Sequence, residues 1–214
     1  NLKEFEKVIH KHFEEQYGKD PAGEIYLLRN QVENHLKDFI KNYQVPKIKE
    51  FQTRILGLEQ RIDVKKNSFK IGARLDRVEK RGERIVIIDY KTSANKNYLT
   101  INYNKLDLKN RDSWSEAIGS LQLPFYLLTY SHLTGEKPET IDCMFLLLGR
   151  TRIDSEIEVL LFRDETEFRE NFGNLTQVIF SLLREIVDPD QPFLPTIDPK
   201  KNCGRCAYGY ICTN

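Results

Sequence analysis

The stretch IGARLDRVEKRGERIVIIDYKTS, residues 71–93, decides how this chain is read. Ile85, Val86, Ile87 and Ile88 are consecutive apolar residues, the mark of a central strand covered on both faces. Strand side chains alternate between faces, so Asp89 and Lys91 point one way and Tyr90 the other. Upstream, IGARLDR is a second apolar segment, joined to the first by the tight polar link VEKRGER. A turn at Arg81-Gly82 would form a hairpin and carry Asp76, at the end of one strand, to the neighbourhood of Asp89 on the next. Charged groups leaving a buried strand need partners or a metal to offset their desolvation.

Two carboxylates and an amine would then converge. A divalent cation binds such carboxylates through oxygen, keeps several waters and neutralises a phosphate beside it. Lys91 could hold or deprotonate the attacking water. The chemistry this implies is metal-assisted hydrolysis of a phosphodiester. The alternative reading of the same residues is a hairpin with a surface Asp-Lys pair.

The 214 residues, 40% of them apolar, suffice for one domain spanning residues 1–214, with a cysteine-rich tail at 200–214. The longest apolar run, Cys143 to Leu148, is far too short to span a bilayer. The charged opening NLKEFEKVIHKHFEE is no signal peptide, so the expected compartment is the cytoplasm. The chain starts at Asn1 without a methionine, which we read as a fragment of a longer protein. Lys plus Arg total 33 against 32 Asp plus Glu, so any basic surface must be local. Candidates include Arg77, Lys80, Arg81 and Arg84 around the hairpin and Lys96, Lys105, Lys109 and Arg111 beyond it, though most read as ordinary solvated charges.

Leu2, Phe5, Ile9, Phe13 and Tyr17 recur at helical spacing, giving a first helix that ends near Gly18. A second helix is predicted over Glu24 to Asn42, with Pro46 ending that region and Phe51 to Val64 extended. Residues 94–112 read as a long loop, Trp114 to Leu133 as a helix in which Pro124 makes a kink or an early turn, and Ile141 to Gly149 and Glu156 to Phe162 as strands. A long helix, Glu165 to Ile186, closes the order. The expected fold class is α/β, a mixed central sheet flanked by helices.

The motifs GARLDR (72–77), IIDYKT (87–92) and QLPFY (122–126) together resemble the RecB-like branch of the PD-(D/E)XK nuclease superfamily, which shows G-x-x-D-R, D-Y-K-T after a hairpin, and a Q-x-x-x-Y helix. The resemblance covers most of the chain and implies a restriction-endonuclease-like core. Val8 to Glu14 resembles the family's early histidine helix, with His10 in the metal-ligand place and His12 as its competitor. By this resemblance Asp76, Asp89 and His10 would ligate Mg²⁺ or Mn²⁺, with the backbone carbonyl of Tyr90 adding an oxygen. Lys91 would position the water, and Gln122 and Tyr126, four apart on one helical face, would border the site. The same two residues could instead flank a packed row of leucines. Glu59 resembles a further acidic position of the family.

Cys203, Cys206 and Cys212 crowd the C-terminus as CGRCAYGYIC, which points to metal ligation over disulfides in a cytosolic-looking chain. The spacing resembles AddB-type and CRISPR-adaptation nucleases, in which three late cysteines and one far upstream hold a 4Fe-4S cluster. The upstream ligand is missing here; Cys143, in an apolar run, reads as a buried hydrophobe, and zinc is the other metal such a site could take. The resemblance implies a Mg²⁺- or Mn²⁺-dependent DNA exonuclease leaving 5′-phosphate and 3′-hydroxyl ends, with a helicase region or subunit as partner in resecting broken DNA for recombination. The other functions considered are a catalytically silent DNA-binding or scaffolding module and a standalone CRISPR-associated or RNA-cutting enzyme of the same fold.

Overall fold

In the computed structural model, which describes residues 2–192, 203, 204, 206 and 207, the 71–93 stretch supplies the middle of a five-stranded sheet ordered β1-β2-β3-β4-β5. Its strands are β1 (Arg54–Lys66), β2 (Phe69–Arg81), β3 (Arg84–Lys91), β4 (Ile141–Leu147) and β5 (Glu158–Leu160). β3 and β4 run parallel and the other neighbours antiparallel, so the sheet is mixed, as expected. The helices are α1 (Leu2–Tyr17), α2 (Gly23–Phe39), α3 (Val45–Phe51), α4 (Ser113–Ala117), α5 (Gln122–Thr134) and α6 (Glu165–Val187). Helices α4 and α5 lie in the crossover that a parallel β3–β4 pair requires. The chain divides into two compact units after Thr176, and the first holds the whole sheet. Among the described residues no helix is long and apolar enough to cross a membrane.

Strand β3 divides the core into two faces. Ile85 and Ile87 pack on one face with Leu123, Leu127 and Phe145, while Val86 and Ile88 pack on the other with Phe39, Tyr43 and Met144. Continuing the alternation sends Asp89 and Lys91 to the α5 side and Tyr90 to the α2 side, where its ring meets Phe39 edge-on at 6.3 Å.

The stretch read as a polar link is mostly strand. β2 runs on to Arg81, and the turn is only Gly82-Glu83, between the paired Arg81 and Arg84. Gly82 sits at φ +58, a left-handed conformation that glycine adopts without steric cost. Glu79 is fully buried and bridges the buried guanidinium groups of Arg77 and Arg81, both read from sequence as solvated charges. Arg81 also donates to Tyr43 Oη at 3.0 Å and to Glu158 Oε1 at 3.2 Å, and Arg77 to Gln44 Oε1 at 2.7 Å.

Nor does Pro46 end the second helix. A π-helical turn at Ile40–Gln44 carries the chain from α2 into α3, where Pro46 occupies a first-turn position that needs no N–H donor. That wide turn sets Tyr43 and Gln44 side by side against the charges of β2. The helix expected over Trp114 to Leu133 breaks at 118–121, so Pro124 falls in the first turn of α5.

Candidate active site

The β2–β3 ladder stops one pair short of the two carboxylates. Arg77 faces Ile88 as the last pair, which leaves Asp76 and Asp89 next in line. There the side chain of Asp76 replaces a ladder carbonyl, accepting the Tyr90 amide N–H on Oδ2 at 2.9 Å. Asp89, 2% exposed, accepts on Oδ1 from Gln122 Nε2 at 2.5 Å and from the Tyr126 hydroxyl at 3.3 Å. Its Oδ2 lies 2.5 Å from Lys91 Nζ as an ion pair, yet receives no aligned hydrogen bond. Lys91 donates to Gln122 Oε1 at 2.8 Å and sits 4.9 Å from the centre of the Phe145 ring, a cation–π contact. Gln122 Nε2 also donates to Tyr126 Oη at 2.6 Å, which fixes both ends of the amide. The Q-x-x-x-Y spacing works because residues four apart share one face of α5.

Burial dominates the electrostatics. It pushes Asp89 above the usual carboxylate range; the nearby charge of Asp76 adds to this, while Lys91 and the Tyr126 hydroxyl oppose it. The Tyr126 phenol is raised too, chiefly by burial, so it stays a proton donor at any working pH. Desolvation that disfavours a charged carboxylate beside a second carboxylate is the electrostatic setting of a cation site.

With that geometry in hand, a family model of the PD-(D/E)XK nuclease superfamily matches residues 2–213. The chain belongs to the PD-(D/E)XK nuclease superfamily. No curated protein matches it. Among solved structures, the crystal structure of SSO0001 is similar at 16% sequence identity, covering 95% of this chain and 79% of that one, with a TM-score of 0.34.

In this PD-(D/E)XK nuclease the structure gathers Asp89, Lys91, Gln122 and Tyr126 into one network and brings Asp76 to it through residue 90. His10 is not brought to them. Its Nε2 lies 3.0 Å from Glu33 of α2, in a cluster with Lys37 and Glu6, and the Lys37 ammonium holds Glu33 below its usual value against the opposing effect of burial, with His10 adding a smaller push down. Among the described residues no group of three or more His, Cys, Asp and Glu stands together to hold a metal, so the expected set of His10, Asp76 and Asp89 is not assembled. The Tyr90 group seen working is its amide. Glu59 is exposed, at φ +48, and paired with Arg74 across β1 and β2 at 2.9 Å.

Cys143 is a buried residue of β4 whose thiol is pushed up by desolvation, as expected of a packing cysteine. Cys203 and Cys206 are free thiols joined by a turn, Cys206 N–H to Cys203 O at 3.1 Å, and Cys212 lies outside the described residues.

Sequence reasoning missed Phe145 and Arg77. Phe145 pairs with Asp89 across the parallel β3–β4 ladder and puts its ring under Lys91, which becomes legible only once the topology is known. Arg77 donates to Tyr90 Oη at 3.2 Å. Its signal was available: Arg77, Glu79 and Arg81, two apart with alternating sign, belong to one strand face and can satisfy each other.

The end of β3 is also held by glycine. A Cβ on Gly149 would lie 2.1 Å from Thr92 O and 2.7 Å from Ser93 C, both backbone, while Leu148 N–H donates to Lys91 O at 2.8 Å. Gly149→Ala is therefore expected to displace the segment just after Lys91, lowering stability by about 1–3 kcal/mol and DNA cutting by about 10- to 100-fold. Thermal melting and a cutting time course check this, and a variant with parental values of both would remove the contact from the account.

Proposed function

We propose that this chain is a Mg²⁺- or Mn²⁺-dependent deoxyribonuclease of the RecB-like branch, a single nuclease domain acting as an exonuclease within a helicase-nuclease that processes broken DNA for recombination. The hydrolytic reading is carried by one observation: the ring of hydrogen bonds that holds Asp89, Lys91, Gln122 and Tyr126 beside Asp76. The narrower assignment rests on the order G-x-x-D-R, D-Y-K-T and Q-x-x-x-Y in the sequence.

The residues fit a hard divalent cation, for the donors are carboxylate oxygens and Asp89 Oδ2 is buried with no aligned hydrogen bond, held only by the ion pair with Lys91. Asp76 and Asp89 would hold it; His10 would join them only by leaving Glu33. Such an ion supplies neutralisation of the phosphate charge and acidification of the attacking water. The chain's own residues do the placing. Gln122 and Tyr126 clamp Asp89 Oδ1, so Oδ2, which here pairs with Lys91, would be the oxygen for the cation once the ammonium turns to the phosphate. Lys91, held by Gln122 Oε1 and Phe145, presents its ammonium to the water and to a phosphoryl oxygen. In-line attack of the water on phosphorus, with the P–O3′ bond breaking as the motif resemblance implies, would leave a 5′-phosphate and a 3′-hydroxyl.

Incubation of the purified protein with end-labelled linear DNA tests the proposal. Shortening from an end is expected with Mg²⁺ or Mn²⁺, none in chelator, and none on circular single strands. Gln122→Ala, which frees both Lys91 and Asp89, is expected to slow cutting by about 100-fold, as loss of a preorganised donor does. Cutting that persists in chelator, or that Gln122→Ala leaves untouched, would overturn the reading.

A further inference from the structure

We propose that Tyr98 is a stacking platform for an unpaired base of the strand being cut, which makes the site selective for single-stranded ends; the inference rests on the nuclease reading above. Tyr98 is 79% exposed, the most exposed large hydrophobic side chain among the described residues. Its backbone, by contrast, is fixed. Leu99 and Thr100 donate to Lys96 O, Asn97 N–H donates to Asn95 Oδ1 at 2.9 Å, and Asn95 N–H donates to Ser93 Oγ at 3.0 Å. A Cβ on Gly119 would stand 2.8 Å from Tyr98 C, and Gly119 N–H donates to Thr100 O at 3.0 Å. Beyond it Ile101 bridges Ile118, and Leu99, Ile101 and Tyr103 turn into the core while the Tyr98 ring turns out.

Chain order ties the segment to the site at both ends. This segment leaves β3 directly after Lys91, and its Gly119 anchor precedes Gln122 by one short turn. From Tyr90 to Leu106 the sequence has three Lys and no Asp or Glu, in a chain whose charges otherwise balance at 33 against 32. An acid-free segment with a hydrogen-bonded backbone, running from Lys91 toward α5 and holding an aromatic ring in water between Lys96 and Lys105, has the two elements of single-strand recognition, cationic side chains and a π face. Stacking is tolerant of base identity, so this predicts strand selectivity without sequence preference.

Binding to an oligothymidylate and to an oligomer of the same length made of abasic sites, both without divalent metal, tests the proposal. Tyr98→Ala is expected to weaken oligothymidylate binding about tenfold while changing abasic binding less than about twofold; Tyr98→Phe retains the parental difference. In Tyr98→Trp the indole fluorescence is expected to be quenched by oligothymidylate and not by blunt duplex. Equal losses on both oligomers, or no loss on either, would overturn stacking and leave the ring to another partner. If the parent cuts oligothymidylate with Mn²⁺ while Tyr98→Ala binds normally, stacking alone fails; if the parent cuts nothing, the nuclease reading fails first.

Discussion

Asp89→Asn is expected to cut DNA about a thousandfold more slowly than the parent while being at least as stable at pH 7. The loss follows from removing one of the two carboxylate charges and the Asp89 oxygen that carries no aligned hydrogen bond, only the Lys91 ion pair. The stability follows from linkage. Folding raises the Asp89 pKa, mainly by burial, so the folded chain keeps a proton that the unfolded chain has released. Stability therefore falls as pH rises from the ordinary carboxylate value, about 3.9, through the raised value, and above it the full cost of the buried charge is present. Asn, neutral throughout, escapes that cost and still accepts from Gln122 and Tyr126. Lys91, whose side chain is 25% exposed, keeps Gln122 and can turn to solvent. Melting temperatures from pH 4 to 8 should show the variant's advantage growing with pH. A variant that melts below the parent at pH 7, or cuts within tenfold of it, contradicts this account.

Glu79→Ala should have the largest effect on folding. Glu79 is fully buried, and Arg77 and Arg81 are 6% and 8% exposed, so its removal leaves two guanidinium groups inside the sheet without their shared counter-charge. Breaking a buried ion pair in this way costs about 3–5 kcal/mol, more than half the stability of many domains. The packing itself is not the source of the loss. Replacing all three residues by Leu or Met should recover most of it, because apolar groups of similar volume need no partners. Denaturant midpoints for the single and triple variants decide the matter; a single variant within about 1 kcal/mol of the parent would mean water reaches the network.

Strand β3 was legible because four apolar residues in a row have one common explanation, and the placement of Asp89, Lys91 and Tyr90 followed from parity alone. The Gln122–Tyr126 pair was legible for the same kind of reason, a period of four on α5. The alternation of Arg77, Glu79 and Arg81 was there to be read, but the burial of these charges was not, since the groups that complete their hydrogen bonding come from residues 43, 44 and 158, far along the chain. Pro46 misled because its effect depends on where a helix begins, and the π turn before it resets that position. His10 stands on the helix expected for it, but which side chain of α2 it meets depends on how two amphipathic helices slide past each other, and here that partner is Glu33.

The sheet keeps two sets of charged groups apart, and Tyr90 reaches both. Asp89 and Lys91 hang from one side of β3 and the Arg77–Glu79–Arg81 network fills the other, yet Tyr90 touches both sides, its hydroxyl on Arg77 and its amide on Asp76. Exchanging the ring at position 90 would therefore cost Arg77 a partner while sparing the Asp76 contact, which belongs to the backbone and asks only that some residue with an N–H stand there.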